Sequence, residues 1–205
     1  MDNVLDLSHA VLIGQGTHKK CFVHPQNSAC CVKVAYNELG KRDLNREVKY
    51  LRGGFRRKHQ STILPHFYGT VQTNLGEGYV VDFLKNADGT PCLSLKTWLE
   101  TSVVDPQLDP LVYQAMLVLK QKIREEQVLC LAIYPENILF QKDSLGAYHP
   151  FLVNDLGNAA RIPLAYWIQS VRLRSIEKRW EEFLARALAQ SVPQKHSFVK
   201  QCSFN

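Results

Sequence analysis

The stretch that decides the fold consists of Leu-Ala-Ile-Tyr-Pro-Glu-Asn-Ile-Leu-Phe (131–140) and, a little further on, Phe-Leu-Val-Asn-Asp-Leu-Gly-Asn (151–158). Each half contains a short apolar run of residues with high strand propensity. The intervening residues 143–146 include Asp, Ser and Gly, which favour turns. The pattern of strand, polar turn and strand predicts a β-hairpin.

Two polar residues border this predicted hairpin. Asn137 leads into the first strand, and Asp155 follows the second. A hairpin brings such positions together, so an amide oxygen and a carboxylate are expected near one point in space. Oxygen donors of this kind suit Mg²⁺ that is held against phosphates. We therefore predict that Asn137 and Asp155 are metal ligands.

A glycine motif, Gly14-Gln15-Gly16, lies near the start of the chain. The strand pattern that follows, over residues 21–34, places it within a hairpin, whereas a dinucleotide-binding fingerprint opens a helix. Glycines in such a hairpin let backbone N–H groups approach a triphosphate. An ordinary tight turn is the alternative. Lys19, just after the glycines, either adds a positive charge at the phosphates or points to solvent.

Lys33 lies in the otherwise apolar strand Val-Lys-Val (32–34). A buried lysine without a partner is costly, so Lys33 needs either a solvent-facing position in an edge strand or an anionic partner. Glu47 is the candidate partner, because it borders the apolar face of a helix predicted around residues 44–51. Glu38 is an alternative, although a carboxylate at a helix start also favours the helix dipole.

The remaining pattern predicts mixed secondary structure. A second hairpin is expected over residues 67–84, and residues 86–91 look like a linker. Ser94 is expected to cap a helix, and residues 111–128 to form a longer one. The tail, residues 194–205, is expected to be loosely held. Apolar residues spaced as in a helix, expected to pack in the core, are Trp167, Ile168, Val171, Ile176, Trp180, Phe183, Leu184 and Leu188.

The composition limits the class of protein. The 205 residues are 45% hydrophobic and carry a formal charge of +6, enough apolar content for one core or two small lobes. The acidic N-terminus does not resemble a signal peptide, and no apolar run approaches a membrane span. Six cysteines without a C-x-x-C pattern favour free thiols in a reducing cytoplasm, so a cytoplasmic location is expected.

A basic run follows the predicted Glu47 helix and overlaps it. A solvated face is the usual interpretation of such a run, and contact with an acidic partner is the sharper one. Nucleic acid is a third option, although no recognition motif accompanies the charge. The run comprises Lys41, Arg42, Arg46, Lys49, Arg52, Arg56, Arg57 and Lys58.

Taken in order, these motifs resemble those of a protein kinase, and the chain is identified as a member of the YrbL family, small bacterial proteins with a kinase-like fold. The resemblance rests on I-G-Q-G-T-H-K-K-C-F (13–22), C-V-K-V (31–34), R-E-V-K-Y (46–50), Y-P-E-N-I-L (134–139) and N-D-L-G (154–157). It implies a two-lobed α+β fold. A β-rich N-lobe with one main helix (1–84), a hinge (85–92) and a truncated helical C-lobe (93–205) are expected.

The kinase resemblance also implies residue roles and cofactors. Gly14 and Gly16 would lie over a nucleotide, and Lys33 would bind its phosphates while Glu47 holds Lys33. Asn137 and Asp155 would bind Mg²⁺. ATP and Mg²⁺ are the implied cofactors.

The catalytic loop departs from the kinase pattern. Ala132 occupies the position of the expected Asp, and residues 130–133 look like a buried strand. Tyr134 replaces the usual loop lysine, which would neutralise the transferring charge. General-base assistance is worth about 10²–10⁴-fold in rate, so its loss favours nucleotide binding over catalysis.

Three functions follow, in decreasing order of support. The first is a pseudokinase-type regulatory protein that binds ATP and Mg²⁺, or retains only the fold, and acts through a protein partner. The second is a divergent small-molecule kinase that uses another base, such as Asp155 or bound water. Because no long activation segment follows Gly157, a small acceptor suits that second function better than a protein. The third is a basic nucleic-acid-binding module.

Overall fold

The computed structural model describes residues 4–53, 61–158 and 164–204. The chain divides into two compact units. One comprises residues 1–60 and 65–84, and the other comprises residues 61–64 and 85–205. Within the described residues, no helix is long and apolar enough to cross a membrane.

The described part of the first unit is a five-stranded antiparallel sheet with one helix. The sheet order is β1-β2-β3-β5-β4, so β3 lies in the middle. Both hairpins predicted from turn residues are present. The elements are β1 (Leu12–Gln15), β2 (Lys19–His24), β3 (Asn27–Ala35), α1 (Glu38–Leu51), β4 (Phe67–Thr73) and β5 (Gly76–Asp82).

The two faces of this sheet are covered differently. On one face, side chains of β3 and β5, including Cys31 and Tyr79, pack against Leu44 and Val48 of α1. On the other face, Val32 and its neighbours pack against the N-terminal segment through buried leucines. Because side chains alternate along a strand, every second residue of β2 and β3 faces α1.

Helix α1 begins at a polar cap and carries much of the basic run. The Asn37 side chain accepts a hydrogen bond from the backbone N–H of Gly40 at 2.7 Å, as expected of an N-cap. Arg46 forms an ion pair with Asp43 at 2.6 Å on the same helix. The other end of the basic run, Arg56, Arg57 and Lys58, lies outside the described residues.

The described part of the second unit is mainly helical and includes a three-stranded sheet of order β6-β7-β8. The hairpin predicted from the opening stretch is confirmed as β7 and β8. The elements are β6 (Leu93–Ser94), α2 (Leu95–Glu100), α3 (Leu108–Glu125), β7 (Ile138–Lys142), β8 (Tyr148–Leu152), α4 (Leu164–Trp167), α5 (Gln169–Gln190) and α6 (His196–Gln201). Two 3-10 turns cover Pro135–Asn137 and Pro193–Lys195.

The helices of this unit confirm some predictions and correct others. Ser94 caps α2, since its side chain accepts a hydrogen bond from the Thr97 N–H. Helix α3 begins at Leu108 and ends at Glu125, rather than covering 111–128. It stops there because Gln127 adopts a positive φ of 53°, which helical backbone does not allow.

Two expectations about the C-terminal region are wrong. Trp167 and Ile168 are 67% and 45% exposed. The helix is interrupted between α4 and α5, so residues before and after the interruption do not share one helical face. The tail is not loosely held. Its Lys195 is 1% exposed and pairs with Asp109 of α3 at 2.5 Å, and Trp180 donates a hydrogen bond to the Cys202 carbonyl.

Candidate functional site

The glycine motif lies where β1 ends, with Gly14 in the strand and Gly16 in the turn that leads to β2. The Gly16 N–H donates to the Lys19 carbonyl at 2.9 Å. A Cβ added at Gly14 would meet no atom within 4 Å, and one at Gly16 would meet only that carbonyl, at 3.9 Å. The protein's own packing therefore does not require glycine here. Space for a ligand to approach the backbone is another reason to have glycine at these positions. That Gly14 and Gly16 lie over a nucleotide stays a prediction.

This turn is attached to the start of α1. The Tyr36 hydroxyl donates to the Gly16 carbonyl at 2.7 Å. Gly40, in the first turn of α1, lies against the His18 carbonyl, where an added Cβ would come within 2.2 Å of the oxygen. Only glycine permits this approach, so the turn and the helix are fixed to each other.

Lys33 is buried in the central strand. The residue is 8% exposed, and in the sheet register it lies between Cys21 of β2 and Tyr79 of β5. The Lys33 Nζ lies 5.8 Å from the centre of the Tyr79 ring. The alternative of a solvent-facing position in an edge strand is therefore wrong, because β3 has a neighbour on each side.

Glu47 points from α1 onto the same face of the sheet and is 0% exposed. Its Oε2 accepts hydrogen bonds from Lys19 Nζ at 2.6 Å and from the Tyr79 hydroxyl at 2.7 Å. The Lys19 side chain is 14% exposed, so the alternative that it points to solvent is wrong. Glu38, the alternative partner for Lys33, is 82% exposed and pairs with Lys41.

The charge state of Glu47 reflects both lysines. Burial alone would raise the pKa of its carboxyl, but the positive charge of Lys19 and then that of Lys33 lower it. Hydrogen bonds from Lys19 and Tyr79 act in the same direction, and the net pKa is lowered. Glu47 is thus an ionised, buried carboxylate under the influence of two cations. That Glu47 holds Lys33 in a phosphate-binding position stays a prediction.

Cys21 is a member of this face that sequence reasoning did not single out. Alternation along β2 places it on the same side as Lys19. A hydrogen bond with Cys31 lowers the pKa of the Cys21 thiol, burial opposes this, and the charges of Lys33 and Lys19 lower it further. The net pKa is lowered, so Cys21 favours the thiolate form more than an ordinary cysteine does.

In the second unit, the structure brings Asn137 and Asp155 together. Asn137 Nδ2 donates to Asp155 Oδ2 at 2.8 Å, and Asn137 Oδ1 accepts from Asn154 Nδ2 at 3.0 Å. The Asp155 backbone has a φ of +58°, a left-handed conformation in which its carbonyl accepts from the Leu131 N–H at 2.7 Å. Uncommon backbone conformations of this kind concentrate at functional sites.

These two residues fit one class of metal better than others. The described residues contain no group of three or more His, Cys, Asp or Glu side chains able to hold a metal ion. Asn137 and Asp155 would therefore provide a partial shell of oxygen atoms. Mg²⁺ suits such a shell, because it keeps several waters and takes further ligands from phosphates. A metal that needs a complete protein cage does not suit it.

The loop before Asn137 is not the buried strand that we expected. Cys130 forms a single bridge with Leu156, and residues 131–134 are irregular up to the turn at Pro135. Pro135 cannot donate to a strand ladder, so no strand continues into the turn. Ala132 lies in this loop, and its methyl group cannot accept a proton.

Arg186, which the sequence did not point to, packs against this loop from α5. Its Nη1 donates to the Ile133 carbonyl at 3.1 Å, and its guanidinium carbon lies 5.0 Å from the centre of the Tyr134 ring. Arg186 and Ile133 are 53 positions apart in the sequence. No local pattern could connect them.

Comparison with known proteins gives family matches over most of the chain. The family model described as PhoP regulatory network protein YrbL matches residues 5–188. YrbL of Escherichia coli K12 is 30% identical over 194 residues, which cover 94% of this chain and 92% of that protein. YrbL of Shigella flexneri matches to the same extent. The resemblance inferred from the motifs is confirmed.

The solved structures similar to this chain include protein kinases. The kinase domain of Mycobacterium tuberculosis PknI matches with a TM-score of 0.53 at 9% identity, over 88% of this chain and 71% of that one. Rad53 residues 1–466, solved in complex with AMP-PNP, match with a TM-score of 0.54 at 15% identity, over 93% of this chain and 51% of that one. At such identities the similarity concerns the fold, and it confirms the kinase-like α+β prediction.

Proposed function

We propose that this chain, which belongs to the YrbL family and has a kinase-like fold, binds ATP with Mg²⁺ and acts as a pseudokinase-type regulatory protein. One observation carries the proposal: the side chains of Asn137 and Asp155 are hydrogen-bonded, with Nδ2 2.8 Å from Oδ2, while Ala132 occupies the position expected of a proton acceptor. The oxygen donors for a metal are thus retained, and the base is absent.

The first unit supports the nucleotide half of the proposal. Lys33 is buried on one face of the sheet together with the Lys19–Glu47 pair, so two lysines and one carboxylate lie on this face. A buried positive charge suits the oxyanions of a triphosphate. The turn at Gly14 and Gly16 has room for a ligand to approach its backbone.

A regulatory role through a protein partner is the remaining part of the proposal. The family is described by its place in the PhoP regulatory network, which supports regulation over metabolism. The loss of the carboxylate at Ala132 supports binding over turnover. Changes in nucleotide occupancy would then alter how the protein engages its partner.

Thermal unfolding with and without ATP and Mg²⁺ tests nucleotide binding. A ligand at about 100 times its Kd stabilises the folded state by about 2.7 kcal/mol. For a chain of this size the melting temperature should rise by roughly 5–10 °C. The rise should vanish in Lys33→Ala, weaken without Mg²⁺ and persist in the control Lys96→Ala, which removes an exposed lysine. No rise in the wild type at millimolar nucleotide would refute the proposal.

A turnover assay separates a regulator from a divergent small-molecule kinase that uses Asp155. Release of the terminal phosphate of ATP would be followed with sugar-like and other small acceptors, in the wild type and in Asp155→Asn. Equal slow release in both proteins supports the regulatory role. Acceptor-dependent release that Asp155→Asn abolishes would instead support the small-molecule kinase.

A further inference from the structure

Arg186 places a fixed cation on the loop that leads to the proposed metal ligands. Its guanidinium covers the Tyr134 ring at 5.0 Å and donates to the Ile133 carbonyl at 3.1 Å. The Asn137 N–H in turn donates to the Tyr134 carbonyl at 2.9 Å. The guanidinium therefore packs against a residue whose backbone is bonded to Asn137, and the Asn137 side chain is bonded to Asp155.

The positive charge of Arg186 is available to a ligand. A guanidinium is always protonated and has five N–H donors, of which the Ile133 carbonyl uses one. The Arg186 side chain is 32% exposed. Glu182 Oε2 lies 3.8 Å from Nη2 of Arg186 and is bonded more closely to Arg179, at 2.7 Å.

The fixed orientation also suits an oxyanion. The aromatic ring of Tyr134 and the carbonyl of Ile133 hold the planar guanidinium in place, so little side-chain freedom remains to be lost on binding. Arginine forms charge-assisted, often bidentate hydrogen bonds with phosphate. A phosphate that shares a metal with Asn137 and Asp155 would lie in the neighbourhood of this cation.

We propose that Arg186 binds the terminal phosphate of Mg²⁺-bound ATP and supplies, from α5, the positive charge that Tyr134 does not provide. This inference rests on the proposed nucleotide binding. A purely structural role is the competing explanation, because the same contacts could serve only to hold the loop. The two explanations differ in one respect: only a phosphate-binding role distinguishes ATP from ADP.

The test compares the affinities of the full-length protein for ATP and ADP, each with Mg²⁺, by titration calorimetry. Arg186→Gln should weaken ATP binding about tenfold, the size expected for one charge-assisted hydrogen bond, and leave ADP binding unchanged. Arg186→Lys should lose less, because it keeps the charge without the planar fork. The control, Arg179→Gln, removes an arginine from the same helix that also contacts Glu182, and it should change neither affinity.

Each other outcome has a distinct meaning. If Arg186→Gln weakens ATP and ADP equally, or weakens neither, Arg186 has only a structural role and the inference is wrong, while nucleotide binding stands. If the wild type binds neither nucleotide, the proposed function itself fails and the inference fails with it. Melting temperatures without ligand would be measured for each variant, so that a loss of folded protein is not mistaken for weak binding.

Discussion

Lys19 and Glu47 form a buried ion pair that joins β2 to α1, with Nζ 2.6 Å from Oε2. The Tyr79 hydroxyl donates a second hydrogen bond to the same oxygen at 2.7 Å. A buried carboxylate is stable only when it is paired and hydrogen-bonded, and Glu47 meets both conditions. The pair therefore fixes α1 against the face of the sheet that carries Lys33.

Replacement of Glu47 by Gln should strongly destabilise the first unit. The substitution leaves Lys19, which is 14% exposed, without its carboxylate. Breaking a buried ion pair by removing one partner costs about 3–5 kcal/mol. The free energy of unfolding from urea denaturation measures the loss. Glu38→Gln is the control, because it breaks an exposed pair worth about 0–1 kcal/mol. Equal losses in the two variants would contradict the role assigned to Glu47.

The contribution of Glu47 should depend on pH. Its pKa in the folded protein lies below the ordinary value of 4.5. Because the pKa of Glu47 is lower in the folded than in the unfolded protein, its carboxylate stabilises the folded state at any pH above the unfolded-state pKa. This stabilisation is lost as the pH falls through the folded-state pKa. The difference in unfolding free energy between wild type and Glu47→Gln should therefore be constant between about pH 5 and about pH 7, and shrink in more acidic solution. A difference that grows on acidification would be inconsistent with the lowered pKa.

The contrast between Asn137 and Lys19 shows what the sequence could predict. Asn137 and Asp155 flank one hairpin, and the hairpin pattern alone predicts that they lie close together. Lys33 stood out because an ion in an apolar strand needs a partner. Lys19 gave no such signal, because a lysine beside a turn is ordinarily solvated, and its burial depends on where α1 packs.

Long-range contacts account for the remaining errors. A loosely held tail is the usual expectation for a chain terminus, yet Lys195 pairs with Asp109, 86 positions earlier. Arg186 meets Ile133 across 53 positions. Such contacts are set by helix packing, which no local pattern of residues records.

Gly40→Ala should destabilise the protein although it places alanine in a helix. An ideal Cβ at this position would lie 2.2 Å from the His18 carbonyl oxygen, a backbone atom that cannot rotate away. Overpacking costs about 1–3 kcal/mol, which should outweigh the gain of about 1 kcal/mol in helix propensity. Urea denaturation measures the net loss. Gly14→Ala is the matched control, because its Cβ has open space and its stability should not fall. A Gly40→Ala protein as stable as the wild type would show that the turn is not fixed to α1.

Lys195→Met should loosen the C-terminal segment. Lys195 and Asp109 are 1% and 3% exposed in their side chains, and Trp98 donates to the same Asp109 oxygen at 2.8 Å. Removing the lysine leaves a buried carboxylate, at a cost of about 3–5 kcal/mol. Limited proteolysis should then cleave the tail at once in Lys195→Met, and slowly in the wild type and in the exposed-lysine control Lys96→Met. Rapid cleavage in all three would mean that the ion pair does not hold the tail.

Cys21 should react with iodoacetamide at a lower pH than Cys92. Both residues are intermediate in exposure, and the Cys21 thiol is the more deeply buried of the two, so easier access cannot explain an earlier reaction of Cys21. The pKa of Cys21 is lowered by a hydrogen bond with Cys31 and then by the charges of Lys33 and Lys19, against the effect of burial. The pKa of Cys92, in contrast, is raised by burial to about 11. The thiolate is the reactive form, so the fraction of modified Cys21, measured by mass spectrometry of peptides, should rise first.

Two further measurements connect this reactivity to the proposed nucleotide site. Lys33→Met should slow the modification of Cys21, because it removes a positive charge near that thiol. It should leave the modification of Cys92 unchanged, because the charge of Lys33 does not act on Cys92. ATP with Mg²⁺ should protect Cys21, since the thiol lies on the same face of the sheet as Lys33. If Cys92 reacts first, the charges of Lys19 and Lys33 do not control this face. If Cys21 reacts first but ATP gives no protection, the lysines act on the thiol without a nucleotide bound above it.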